Sequence, residues 1–304
     1  MIPDFQSIFL PYLKLLSDGK PHSTAETREK LAVHYALTDE EQNVMLPSLR
    51  APLFSNRAAW AVFYLKQAKL IESVSRGSYK ITDRGLAVLK EDPTKLNIAY
   101  LMRYPEFQEA RKRKAEPDEG SESEQAREEH STQTPEELLA DTYQTLRNIL
   151  AKELLEKIKA SSPFFFEQVV IDLLVAMGYG GSRIEAASLT KRGSDDGIDG
   201  IIKEDKLGLD TIYVQAKRWD GVVGRPVVQA FSGSLDGVRA RKGVLLTTSR
   251  FSNDALDYVA RIEKKIVLID GEKLADLMIE HNVGVSEAQR YVIKKVDADY
   301  FGEE

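Results

Sequence analysis

The stretch Gly193-Ser-Asp-Asp-Gly-Ile-Asp-Gly-Ile-Ile202, followed by Thr211-Ile-Tyr-Val-Gln-Ala-Lys-Arg-Trp219, decides how this chain is read. In the second segment Ile212 and Val214 alternate with Tyr213 and Gln215. That is the period of a strand that sends Gln215 and Lys217 to one face and Ala216 to the other. The first segment sets acidic side chains among glycines and enters the apolar run Ile198 to Ile202, which can pair with the second segment as a hairpin. Such a pairing puts Asp199 beside Gln215 and Lys217. A carboxylate, a side-chain carbonyl and an ammonium meeting at a strand end make a hard-oxygen site for Mg2+, with a cation close to the water the metal activates.

These residues resemble the PD-(D/E)xK nuclease superfamily, in which an Asp on one strand and an acidic-x-Lys triplet on the next form the site. Within it they look most like the catalytic domain of Mrr-type restriction endonucleases, through Gly197-Ile-Asp-Gly200 and Val214-Gln-Ala-Lys-Arg218. The likeness extends to Phe166-Glu167 upstream and Gly243-Val-Leu-Leu-Thr-Thr-Ser249 downstream, so four elements stand in the family's order.

The resemblance implies a Mg2+-dependent DNA endonuclease of type IV restriction, which cuts DNA carrying methylated bases. It implies that Asp199, the Gln215 side-chain oxygen and the Ala216 carbonyl hold the metal. Lys217 then orients or deprotonates the attacking water, and Glu167 tunes Lys217 or holds a further water. Read from its helix alone, Glu167 is a surface acid favoured by the helix dipole; the resemblance moves it to the site. Two departures stand out. The family's usual Gly-Asp-Gly-Gly-Ile-Asp is Ser194-Asp195-Asp196-Gly197-Ile198-Asp199, and the acid of the superfamily triplet is Gln215, the Mrr-type variant. A neutral carbonyl binds Mg2+ more weakly than a carboxylate, and Glu167, Asp195 or Asp196 could supply the missing charge.

With 304 residues, 42% of them hydrophobic and 30% charged, the chain is long enough for two domains with separate cores. The absence of cysteine excludes disulfides, thiolate zinc sites and cysteine nucleophiles, and the four histidines show no metal-ligand spacing. No apolar run is long enough to span a bilayer and no basic-then-apolar segment opens the chain, which reads as a cytoplasmic protein without membrane contact. The net charge of −6 divides unevenly, with residues 1–115 at +5, residues 116–160 at −7 and residues 161–304 at −4. A basic N-terminal half joined to an acidic one fits a DNA-reading module attached to a catalytic domain.

That N-terminal half reads as a helix from Phe5 to Leu16, then a second from a capping box at Ser23-Thr-Ala-Glu26. A third runs from about Asn56 to Lys69 and is followed by a hairpin, Leu70 to Val74 and Ser78 to Ile81, and a helix capped by Thr82-Asp83. Helices followed by a two-stranded wing make a winged-helix pattern. Residues 44–90 also resemble the Mrr-type N-terminal domain, through Asn56-Arg57, Trp60-Ala61, Leu70-Ile71, Arg76-Gly77 and Ile81-Thr82. Trp60, Phe63 and Tyr79 read as core. Arg57, Lys66, Lys69 and Arg76 read as DNA contacts, although winged helices also serve as protein-binding modules.

Residues 116–135 lack apolar side chains and read as an acidic flexible linker between a domain of residues 1–115 and one of residues 136–304. Leu138, Leu139, Tyr143, Leu146, Ile149, Leu150, Leu154 and Ile158 mark a long helix, either an arm packed on the catalytic domain, the more economical reading, or a dimer seam. Pro163 opens a helix closed by Gly178. Beyond Lys217 the order helix, strand, helix, strand adds parallel strands to the hairpin, giving a central mixed sheet flanked by helices in an α/β fold. Thr247, Thr248 and Ser249 end a strand and either contact phosphate or form a turn. The expected partner is double-stranded DNA, probed by a homo-oligomer because nicking both strands requires two sites. A non-catalytic DNA-binding regulator and a DNA or RNA repair nuclease are the alternatives.

Overall fold

The computed structural model describes residues 1–47, 51–112, 132–180, 197–204 and 210–294, with Val296 and Tyr300. It contains two compact units, Met1–Thr145 and Leu146–Glu304. Asp195, Asp196 and residues 116–131 of the expected linker lie outside the described residues.

The first unit runs α1 (Phe9–Leu15), β1 (His22–Ser23), α2 (Thr24–His34), α3 (Asp39–Gln42), α4 (Leu53–Gln67), β2 (Ile71–Ser75), β3 (Ser78–Ile81), α5 (Asp83–Lys90), α6 (Ile98–Leu101) and α7 (Pro105–Lys112). The apolar face expected from Phe5 to Leu16 is buried throughout, with Phe5, Phe9, Tyr12 and Leu13 packed beneath Phe54 and Leu65 of α4. Regular helix begins only at Phe9, because Phe5 to Ile8 form turns. The hairpin β2/β3 carries a third, two-residue strand, in the antiparallel order β1-β3-β2. Ser23 caps α2 by accepting from the Glu26 amide at 3.1 Å, but the reciprocal half of the expected capping box is missing. The Glu26 carboxylate turns instead to His22 and Lys30, two stronger partners for an anion. A complete box forms at Thr38 and Glu41, opening α3.

Helix α8 (Pro135–Ala160) begins in the first unit and ends in the second. The arm expectation holds only at its C-terminal end, where Leu154 and Ile158 are buried and Leu150 is partly covered. Leu138, Leu139, Tyr143, Leu146 and Ile149 are exposed.

The second unit continues with α9 (Pro163–Ala176), β4 (Gly200–Lys203), β5 (Thr211–Lys217), α10 (Arg225–Gly237), β6 (Lys242–Thr247), α11 (Asn253–Arg261), β7 (Lys265–Ile269) and α12 (Gly271–Glu280). The strands form one sheet in the order β4-β5-β6-β7. The β4/β5 pair is antiparallel, and the β5/β6 and β6/β7 pairs are parallel. This is the mixed sheet the sequence implies. Residues alternate across it: Ile202, Val214 and Leu246 pack on one face with Phe166, Val170 and Leu174 of α9 and Leu274 of α12. On the other face Leu245 and Ile266 pack with Val228, Phe231 and Leu235 of α10 and Ala255 of α11. Gly243 lets β6 and α10 close up, since a Cβ there would stand 2.8 Å from the Phe231 ring. Among the described residues no helix is long and apolar enough to cross a membrane.

Candidate active site

The pleat of β5 sorts its side chains by face. Ile212, Val214 and Ala216 turn towards α9, while Tyr213 packs on the α10 side. Gln215 and Lys217 share that second face and line an open cavity of about 730 Å³ against α10. Antiparallel pairing brings Asp199 alongside: its amide donates to the Val214 carbonyl at 2.9 Å, and its Oδ2 accepts from the Ala216 amide at 2.7 Å. The sequence-derived juxtaposition of Asp199, Gln215 and Lys217 is thus present at the β4/β5 junction.

Gln215 is 4% exposed. Its Nε2 donates to the Gly197 carbonyl, which fixes the orientation of the amide. Gly197 adopts φ +74°, a backbone state that favours glycine, and an added Cβ would stand 2.8 Å from Gln215 Nε2. With Nε2 committed, Gln215 Oε1 is left buried and without a hydrogen-bond partner among the described residues. Such an acceptor costs about 1–3 kcal/mol unless it is satisfied.

Glu167 comes from the first turns of α9, half-buried. Desolvation pushes its carboxyl above the usual range, the charge of Asp199 pushes it further, and Lys217 pulls it back. Glu167, Asp199 and Lys217 therefore lie within electrostatic reach of one another, which the helix alone could not reveal.

Three hard donors are available to a divalent cation, namely the Asp199 carboxylate, the orphaned Gln215 oxygen and the Ala216 main-chain carbonyl. This set fits an ion that takes oxygen ligands and keeps several waters. Among the described residues no group of three or more His, Cys, Asp or Glu side chains is placed to hold a metal.

The strand end is held by residues whose purpose the sequence left open. The buried Thr247 and Thr248 donate their hydroxyls to the carbonyls of Lys217 and Trp219, each at 2.8 Å, and Ser249 donates to Asp220 at 3.2 Å. Arg218 donates to the Lys159 carbonyl at the end of α8. The Thr-Thr-Ser run thus fastens the segment that carries Lys217. A buried Thr pair at the end of an otherwise apolar strand is the signal that could have found it.

In the first unit the four basic residues read as DNA contacts part ways. Lys66, Lys69 and Arg76 are exposed, with Lys69 paired to Glu106 at 3.2 Å. Arg57 is not available. Its guanidinium donates to Glu137 and to the Ile2 and Pro3 carbonyls, at 3.2 and 2.9 Å for the latter two. Its neighbours do related work, Asn56 accepting from Thr134 at 2.8 Å and Trp60 donating to Glu136 at 2.6 Å. These contacts fasten the start of α8 to α4.

A model of restriction-endonuclease domains of the Mrr catalytic type matches residues 158–278, and one of the Mrr N-terminal domain matches residues 5–91. The type IV methyl-directed restriction enzyme EcoKMrr of Escherichia coli (strain K12) is 36% identical over 312 residues, covering 99% of each chain. The chain belongs to the Mrr family of restriction endonucleases. Among solved structures, that of the MspJI restriction endonuclease in complex with a 27-mer oligonucleotide is 24% identical, covering 56% of this chain and 36% of that one, with a TM-score of 0.28. Family membership makes the chain a restriction endonuclease, a nuclease that hydrolyses DNA.

Proposed function

We propose that this family member is a Mg2+-dependent type IV restriction endonuclease that cuts double-stranded DNA carrying methylated bases. The observation that supports it most directly is the buried, unpartnered Gln215 Oε1 beside the Asp199 carboxylate, on the strand that carries Lys217. Asp199, Gln215 and Ala216 hold the ion in this reading. Held by them, Mg2+ would supply Lewis acidity towards the phosphate and the attacking water. Lys217, on the same strand face as Gln215, orients or deprotonates that water and stabilises the charge that develops at the phosphate. Glu167 sets the field around Lys217 from the opposite face. Methyl dependence is taken from the E. coli relative, whose name carries it.

The first unit is read as the DNA-binding module, a winged helix in which α4 enters the groove and β2/β3 form the wing. With Arg57 committed, Lys66, Lys69 and Arg76 are the contacts proposed for it. Two nicks need two active sites, so the working species is a homo-oligomer.

Lys217→Ala tests the reading. Cleavage of a methylated duplex in Mg2+ should fall to background, while DNA affinity stays near that of the parent, because affinity comes mostly from phosphate contacts elsewhere. Chelator should abolish cleavage by the parent, and an unmethylated duplex should resist it. Parental rates in the Lys217 variant would remove its chemical role, and silence of the parent with every divalent ion would favour a non-catalytic DNA-binding regulator.

A further inference from the structure

Helix α10 forms one wall of the cavity beside the site, and its composition there is unusual. Ala230, Gly233 and Gly237 fall on one face, and all three are exposed. Glycine inside a helix weakens it relative to alanine and needs a reason. Among the described residues nothing supplies one at Gly233 or Gly237. A Cβ added at either position meets no atom within 4 Å, and neither residue has a positive φ. The contrast with Gly243, which the Phe231 ring keeps bare from inside the protein, shows what a fold-imposed glycine looks like here.

A close approach from outside accounts for both glycines, and the same cavity holds the evidence for its chemistry. Gln215, a buried side chain whose Oε1 lacks a partner, lines it together with Lys217 and the 44% exposed ring of Trp219. A cation and a flat, exposed aromatic along a bare helical wall suit a chain of alternating phosphates and bases. Resting on the nuclease reading above, we propose that the bare face of α10 is the bed on which the sugar-phosphate chain of the strand being cut lies. Trp219 packs against the nucleotide next to the scissile phosphate. The glycines let the backbone come near enough for that phosphate to meet Lys217, and a side chain there displaces it.

Gly233→Leu in the full-length chain is the test. The open space around the position means that the thermal unfolding midpoint should stay equal to or above that of the parent. Cleavage should drop by about a hundredfold, the scale of a misplaced reacting group, with DNA affinity changed little because the first unit is intact. A second readout avoids catalysis altogether. In a Trp60→Phe background Trp219 is the only tryptophan, and a duplex added in chelator should quench its fluorescence in the Gly233 protein but not in the Gly233→Leu protein.

A folded Gly233→Leu variant that cuts at the parental rate overturns the proposal, as does the absence of any DNA-dependent change in Trp219. If Gly233→Leu proves unstable, Gly237→Leu at the helix end is read by the same two measurements. A parent that cuts no DNA but shows the Gly233-sensitive quench would leave the bed standing and remove the nuclease reading. Cleavage indifferent to both leucines would do the reverse.

Discussion

At the residue scale the proposed chemistry turns on Gln215, the position where a neutral amide stands in a triplet that elsewhere in the superfamily carries an acid. Its Nε2 is committed to the Gly197 carbonyl, and its Oε1 has no partner among the described residues. Gln215→Glu therefore exchanges one stabilising contact for a better ligand. Without metal the variant places a carboxylate against the Gly197 carbonyl in a buried position, which should cost about 1–3 kcal/mol. With metal the carboxylate binds Mg2+ more strongly than the amide does. Thermal unfolding should show a midpoint below the parent's in chelator that recovers on adding Mg2+, and the Mg2+ concentration for half-maximal cleavage should fall. An unchanged metal titration would place the side chain away from the ion. Asp199, Gln215 and Lys217 were legible in the sequence because a period of two fixes which side chains share a strand face. Glu167 was reached only through the family resemblance, since its approach depends on how α9 crosses β5. The Arg57–Glu137 pair was not legible, because its partners lie 80 positions apart and no local pattern marks such a pair.

At the scale of the element, the start of α2 couples structure to pH. His22, buried in β1, lies 3.0 Å from Glu26 through Nδ1 and 3.0 Å from Asp18 through Nε2. The hydrogen bond to Asp18, and then that to Glu26, raises the His22 pKa above its ordinary value. A group whose folded-state pKa is raised contributes fully below its unfolded value, about 6.5, and loses that contribution as pH rises through the folded one. The unfolding midpoint of the first unit should thus decline as pH climbs above about 6.5, and His22→Gln should flatten that decline. Equal slopes in parent and variant would mean that the triad does not titrate with folding. The same region shows where reading elements from sequence stops. Long periodic segments such as α4, α9 and the β4/β5 hairpin announce themselves, as do caps at Ser162, Ser252 and Thr82 that accept from the amide three residues on. Strand β1 has two residues and helices α3 and α6 have four each, too short for any period to accumulate. Helix α12 was legible in principle, since Asp270 caps it and Leu274, Ala275, Leu277 and Met278 give it a buried face.

At the scale of the whole molecule, charge divides the labour. Residues 1–115 carry net +5 and residues 161–304 carry net −4, so attraction to a polyanion should come from the N-terminal unit. Lys66 and Arg76 are exposed there, whereas Arg57 is spent inside. If both make phosphate contacts, replacing either by alanine removes one ionic contact, and the slope of log affinity against log salt should fall by about 1 per residue. The loss should be the same for methylated and unmethylated duplexes, because phosphates carry no base information. Cleavage at saturating DNA should then match the parent, since the site at β4/β5 is untouched. Arg57→Ala gives the contrasting result: it should leave the salt slope unchanged but lower the unfolding midpoint, because Glu137 loses the partner that satisfies its buried charge. Titrations at several salt concentrations with both duplexes decide the matter, and a methyl-dependent loss at Lys66 or Arg76 would convert that residue from a phosphate contact into a reader of the base.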